Sequence, residues 1–99
     1  MTSIKDTLQE RDAVYGDYES GVILRSYIMD LLKAEYYENN GKEMSKVYQG
    51  FLWDQVNKLS RLAVSPDHID SWHDIQGYAK LVEDTLERHA MQLASIKNA

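Results

Sequence analysis

The segment PDHIDSWHDIQGY, residues 66–78, decides how the chain is organised. It carries the only proline of the sequence, together with a tryptophan, two histidines and three aspartates. Proline has no N–H group to donate, and it pushes the preceding residue towards extended geometry, so it ends one helix before another begins. The segment therefore predicts a short connection, with the helices before and after it packed as antiparallel neighbours.

The composition outside this segment is that of a small helical protein. With 99 residues the chain has room for one hydrophobic core, and 43% hydrophobic and 27% charged residues are ordinary values for a globular chain. No stretch alternates between apolar and polar residues as a strand does. We predict one all-α domain over residues 1–99, an antiparallel four-helix bundle completed by homo-oligomerisation, because association stabilises so thin a core.

The net charge and the absence of cysteine limit which partners and which cell compartment are expected. Sixteen acidic and eleven basic residues give a net charge of -5, which argues against an extended nucleic-acid-binding surface. The sequence has no cysteine, and hence neither a disulfide framework nor a thiolate metal site. The most apolar run, residues 21–32, contains two charged residues and is too short to span a bilayer. We expect a cytoplasmic protein without a signal peptide or a membrane segment.

Hydrophobic periodicity predicts four helices, at residues 3–14, 20–37, 43–64 and 71–96. Thr2 or Ser3 is expected to cap the first helix, Gly16 to end it, and residues 38–42 to form the clearest loop. Gly77 lies inside the last helix, where glycine costs about 1 kcal/mol relative to alanine. A packed helix or a ligand is therefore expected to approach the backbone at Gly77 closely.

The start of the last helix allows three interpretations. Ser71 and Asp74 have nearly the form of a capping box, and carboxylates are stabilised near a helix N-terminus. Alternatively, Asp70 and Asp74 lie on one helix face and hold Mg²⁺ through oxygen, with Asp54 of the preceding helix as a third ligand. In a further alternative, His73 acts as a base.

The basic residues Lys58 and Arg61 stand opposite these carboxylates in the predicted hairpin. They form either solvated ion pairs or the phosphate contacts of a bound nucleotide. Tyr15 and Asp17 follow the first helix, where the tyrosine either packs on the core or stacks on a base at the edge of a pocket. The candidate nucleotide-binding residues are thus Lys58, Arg61, Tyr15, Asp17 and His73, and the candidate metal ligands are Asp54, Asp70 and Asp74. No motif identifies a catalytic residue.

Three motifs resemble a family of small phage and prophage proteins of unknown function: RDAVYGDY at residues 11–18, KLSRL at 58–62 and DSWHDIQGYAKL at 70–81. The chain is also similar to phage nucleotide-modification-associated domains and, more distantly, to MazG-type all-α nucleoside triphosphate pyrophosphohydrolases. The resemblance implies a helical dimer or tetramer in the host cytoplasm that binds Mg²⁺ and cleaves a nucleotide between its α and β phosphates.

The chain departs from the MazG pattern where that family binds its metal. MazG enzymes carry E-E-x-x-E on one helix and E-x-x-D on a later one. Here residues 54–58 read DQVNK, and Ser71 stands where the glutamate before Asp74 is expected. Two hypotheses follow: a nucleotide-binding protein, either a pyrophosphohydrolase or a degenerate relative, and a non-enzymatic helical oligomer that binds a host or phage protein.

Overall fold

The computed structural model describes residues 3–97, and these residues contain four α-helices and no strand. The helices are α1 (Ile4–Tyr15), α2 (Tyr18–Asn40), α3 (Lys46–Leu62) and α4 (Ile69–Lys97). The prediction of an all-α protein is confirmed. No helix in this part of the chain combines the length and the apolar character that crossing a membrane requires.

Helix α3 lies at the centre of the molecule and contacts each of the other helices. Helices α2 and α4 both pack on it and, within residues 3–97, no Cα atoms of these two helices lie within 8 Å of each other. The radius of gyration is 17.7 Å, against about 13 Å for a compact domain of this length. The single chain is therefore elongated, and its buried hydrophobic side chains are Met29, Met44, Val56 and Leu62.

Helix α1 is bounded by the residues that the sequence predicted. The Ser3 hydroxyl accepts a hydrogen bond from the Asp6 N–H at 3.1 Å, while Thr2, the alternative cap, lies outside the described residues. Gly16 follows the helix with φ +80°, a conformation that favours glycine. A Cβ atom there would also lie 2.7 Å from a methyl group of Val64, so any other residue would require Val64 to move.

Helix α2 is longer than predicted at both ends. It begins at Tyr18 because the Asp17 carboxylate caps it, accepting a hydrogen bond from the Ser20 N–H at 3.0 Å. It continues through residues 38–40, which the sequence assigned to a loop, and ends at Gly41 in the left-handed region. The side chains of Asn39 and Asn40 donate to backbone carbonyls one turn earlier, which accounts for two polar residues in a final helical turn.

The other two helices begin away from their predicted positions. Helix α3 begins at Lys46 rather than residue 43, because Ser45 caps it. Helix α4 begins at Ile69, two residues early, so Ser71 lies within its first turn and is only 1% exposed. Its hydroxyl is 2.7 Å from Nδ1 of His68. The capping-box interpretation is therefore wrong.

The short antiparallel connection between α3 and α4 is confirmed. Gln55 Nε2 donates to the Ile75 carbonyl at 3.1 Å, and Lys58, further along α3, pairs with Asp74, which is earlier on α4. The turn is closed by Trp72, whose indole N–H donates to the Pro66 carbonyl at 2.9 Å.

The expectation of a close approach to Gly77 is wrong within the chain. A Cβ atom at Gly77 would meet no atom within 4 Å. Gly77 is exposed to solvent, and no helix or side chain among residues 3–97 explains why a glycine stands here.

Candidate functional site

A cavity of about 190 Å³ opens where α1, α2 and α3 meet. Each of the three helices contributes one arginine to its wall: Arg11, Arg25 and Arg61. The other lining residues are Tyr15, Asp17, Tyr18, Gly21, Asn57 and Ser60. We call this site the arginine pocket. Three guanidinium groups share it with one carboxylate, so positive charge is concentrated here in a protein of net charge -5.

Helical spacing places these side chains on the faces that meet at the pocket. Arg11 and Tyr15 are four residues apart on α1, and Gly21 and Arg25 are four apart on α2. Residues with this spacing lie on the same side of a helix. The three lining residues of α3, within 57–61, also lie within one turn of each other.

The end of α1 is held against the turn that follows α3. The Ser65 hydroxyl donates to the Val14 carbonyl, a contact between residues 51 positions apart. Next to it, Gly16 lies against Val64, as the absence of space for a Cβ atom shows. These contacts place Tyr15 beside α3 and close one wall of the arginine pocket.

Aromatic rings support two of the arginines. The Arg61 guanidinium carbon lies 4.6 Å from the centre of the Tyr15 ring, and that of Arg11 lies 5.5 Å from Tyr15 and 5.6 Å from Tyr18. At these distances a cation is attracted to the face of the ring. Arg11 also lies 3.6 Å from the Asp12 carboxylate. The rings thus hold guanidinium groups in place without neutralising them.

Arg25 carries a polar group that the rest of the chain does not satisfy. Its Nε atom is buried and has no hydrogen-bond partner among residues 3–97. Gly21 allows this placement, because a Cβ atom there would come within 3.0 Å of Arg25 Nη1. Across the described chain, neither Arg25 nor Arg61 has a carboxylate within 4 Å. Both arginines therefore retain N–H donors for an anion.

The structure brings together three of the five predicted nucleotide-binding residues, namely Tyr15, Asp17 and Arg61. The roles of two differ from those expected. Asp17 Oδ2 is occupied by the N–H and hydroxyl of Ser20. Besides its two guanidinium neighbours, the Tyr15 ring contacts His68 edge to face at 5.5 Å. Tyr18, which has Arg11 as its one guanidinium neighbour, is 64% exposed.

The other two predicted residues, Lys58 and His73, do not line the arginine pocket. Lys58 Nζ lies 3.0 Å from Asp74 Oδ2 between α3 and α4, and its side chain is only 13% exposed. The hydrogen bond from Lys58 lowers the pKa of the Asp74 carboxyl, and its positive charge adds to the effect. His73 and Asp74 border a separate open hollow with Gly77, Tyr78 and Leu81.

Among residues 3–97, no three His, Cys, Asp or Glu side chains gather into a group that could hold a metal ion. The predicted ligands Asp54, Asp70 and Asp74 accordingly do not form one, and Asp74 is engaged by Lys58. Magnesium binding remains a prediction.

Sequence reasoning missed Arg11 and Arg25, although both left a signal. Arg11 begins the RDAVYGDY motif, and Arg25 is a charge within the most apolar run of the chain. A buried charge in such a run calls for a partner. The remaining missed residues are Tyr18, Gly21, Asn57 and Ser60.

Comparison of the chain with protein-family models, with curated proteins and with solved structures finds no match in any of the three. A function is therefore inferred from the geometry and charge of the arginine pocket.

Proposed function

We propose that this protein binds a nucleotide at the arginine pocket. The observation that carries the proposal is the convergence of three guanidinium groups from three helices on one cavity. Two of them, Arg25 and Arg61, have no carboxylate partner within residues 3–97. Arginine is suited to phosphate because its planar fork donates two parallel hydrogen bonds to two phosphate oxygens.

The origin of the lining residues supports a nucleotide over a simple anion. RDAVYGDY supplies Arg11, Tyr15, Asp17 and Tyr18, and KLSRL supplies Ser60 and Arg61. These are two of the three motifs that resemble small phage and prophage proteins of unknown function and are also similar to phage nucleotide-modification-associated domains. The exposed Tyr18 ring at the rim offers a surface on which a base stacks. The MazG-like pyrophosphohydrolase reaction would further require Mg²⁺ at Asp54, Asp70 and Asp74, so the present proposal concerns binding.

Thermal unfolding with and without nucleoside triphosphates tests this function. A ligand at 100 times its Kd adds about 2.7 kcal/mol to the free energy of unfolding, which raises the melting temperature of a domain of this size by about 10–20 °C. Arg25→Gln and Arg61→Gln are expected to remove the rise. Arg88→Gln, an exposed arginine of α4, is the matched control and should leave it intact. The absence of any rise with all nucleotides, with and without Mg²⁺, would contradict the proposal.

A second candidate function, a helical homo-oligomer that acts by binding other proteins, is supported by the exposed surface of the chain. The accessible surface is 7801 Å², whereas a compact monomer of 11.5 kDa exposes about 5800 Å². The excess of about 2000 Å² per chain matches the area that obligate dimers bury.

Helix α4 shows where a second copy would pack. One face carries residues that alternate in steps of four and three, the spacing of a coiled-coil seam. We call this face the α4 seam; it consists of Ile75, Ala79, Val82, Leu86, His89, Leu93 and Ile96. Ile75 and Val82 are half-buried, while every residue from 86 to 97 is exposed. The second half of the seam is therefore free to pair with another chain.

Light scattering coupled to size-exclusion chromatography tests the oligomer. We expect a dimer or tetramer that Leu93→Glu combined with Ile96→Glu converts to a monomer of unchanged helix content. Leu81→Glu places the same charge on an exposed leucine of α4 outside the seam, so it should leave the assembly intact. A wild-type protein that is monomeric at high micromolar concentration would rule out this second function.

A further inference from the structure

We infer that the arginine pocket encloses only the phosphate chain of its ligand and leaves the base and sugar outside. The site then binds nucleoside triphosphates without regard to their base and also accepts inorganic polyphosphate. This inference rests on the proposed function, because it specifies what the same pocket recognises. It adds that the site does not discriminate between bases, which does not follow from nucleotide binding alone.

The cavity is too small to enclose a whole nucleotide. Its volume is about 190 Å³, whereas sites that enclose most of a drug-sized ligand measure about 300–1,000 Å³. A whole nucleotide does not fit into such a space. A phosphate chain does, with the remainder of the molecule extending past the rim.

The chemistry of the wall is the second argument. Its charged donors are guanidinium groups, and the single carboxylate, Asp17, already accepts two hydrogen bonds through Oδ2. The unsatisfied Nε of Arg25 is a buried donor, and an anion is the partner that would relieve the cost of leaving it unpaired. The ring of Tyr15 holds Arg61 and Arg11 beside the cavity. Both guanidinium groups are therefore in position before a ligand binds.

The aromatic rings are the third argument, because they decide what happens to the base. Tyr15 is surrounded by Arg11, Arg61 and His68, which leaves no ring face for stacking inside the pocket. Tyr18 has only one guanidinium neighbour, Arg11 at 5.6 Å from its ring centre, and 64% of its surface is exposed. Stacking on an exposed ring tolerates any base, since every base has a π face.

Isothermal titration calorimetry of the full chain tests the inference, in EDTA and again with Mg²⁺. The ligands are ATP, GTP, CTP and dTTP, inorganic tripolyphosphate and adenosine. We expect the four nucleotides to bind within about fivefold of each other, tripolyphosphate within about tenfold of ATP, and adenosine not to bind. Arg25→Gln should weaken ATP and tripolyphosphate by a similar factor of ten or more, with Arg88→Gln as the unaffected control.

Tyr18→Ala provides a second and independent measurement. It removes the exposed ring, and we expect it to weaken the four nucleotides by a similar factor and to weaken tripolyphosphate less, because tripolyphosphate loses only the support that the ring gives to Arg11. This variant changes an exposed side chain, so the fold should not be affected.

The possible results separate the inference from the function on which it rests. If one nucleotide binds more than thirtyfold tighter than the others, or if tripolyphosphate neither binds nor competes with ATP, the inference is wrong and nucleotide binding stands. If Arg88→Gln weakens binding as much as Arg25→Gln, the attraction is not local to the pocket and the inference is also wrong. If none of the ligands binds, the proposed function falls and the inference falls with it.

Discussion

The two halves of α4 carry the same apolar pattern and meet different surroundings. From residue 69 to 85, where α4 packs on α3, each turn contains at least one buried or half-buried residue, including Ser71, Ile75, Tyr78 and Val82. From 86 to 97, every residue is exposed. At a rise of about 1.5 Å per residue, α4 spans roughly 44 Å and α3 roughly 26 Å. Periodicity therefore shows which face of a helix is apolar, while the length of its partner decides how much of that face the chain itself can cover.

The largest predicted effect compares a buried side chain on α3 with an exposed one in the second half of α4. Val56 is 1% exposed, and Val56→Ala should lower the free energy of unfolding by about 2–3 kcal/mol through lost burial and a residual cavity. Leu93 is 60% exposed, so Leu93→Ala should have little effect on the isolated chain. Urea unfolding at several protein concentrations measures both.

The concentration dependence sharpens this comparison. Val56→Ala should destabilise the protein equally at every concentration, whereas Leu93→Ala should matter only where chains associate. A large and concentration-independent cost of Leu93→Ala would mean that the second half of α4 packs within its own chain, and the contrast between the two halves would be lost.

A smaller effect is expected from the ion pair that joins the first half of α4 to α3. Because Lys58 lowers the pKa of Asp74 in the folded state, the folded protein binds this proton less readily than the unfolded chain. The stabilising contribution is therefore present above about pH 4 and lost as the pH falls through the lowered pKa.

Unfolding measured between pH 7 and pH 2 follows this contribution. Asp74→Asn should lower the stability at pH 7 and flatten its decrease in acid. The control is Asp67→Asn, an exposed carboxylate in the turn between α3 and α4, which should retain the wild-type pH dependence. Identical pH profiles for wild type and Asp74→Asn would show that the pair does not persist in solution.

The smallest effect is a gain in stability at Gly77. Because a Cβ atom there meets nothing within 4 Å, Gly77→Ala should raise the free energy of unfolding by about 1 kcal/mol through helix propensity alone. Gly50→Ala on α3 has the same open surroundings and is the matched control. If only the Gly77 variant is destabilised, or if it dissociates an assembly, a second chain approaches this backbone.

The parts of the fold that depend on neighbours in sequence could be predicted, and those that depend on distant residues could not. Ser3, Gly16 and the turn at Pro66 follow from local chemistry and were identified. The capping-box prediction was wrong because the hydroxyl of Ser71 forms a hydrogen bond with the His68 ring instead of capping the helix. The end of α2 was predicted too early. The side chains of Asn39 and Asn40 donate hydrogen bonds to backbone carbonyls of the helix that these residues were expected to terminate.

The candidate site was predicted in part for the same reason. Tyr15 and Arg61 belong to recognisable motifs, but their neighbours Arg11 and Arg25 depend on how three helices cross, which spacing along one helix does not determine. Lys58 was expected beside Arg61 because the two are three residues apart. In the structure Lys58 instead pairs with Asp74 between α3 and α4, and of the two basic residues only Arg61 lines the arginine pocket.

The attachment of α1 bears on the order in which the molecule assembles. This helix of 12 residues buries none of them, and a helix so short is marginal in isolation. Its end is tied to Val64 and Ser65, beyond the last turn of α3, so it docks only after that distant segment has folded. In native-state hydrogen exchange, α1 should therefore open at a lower free energy than α3, and each opening would remove one wall of the arginine pocket while the hairpin stays closed.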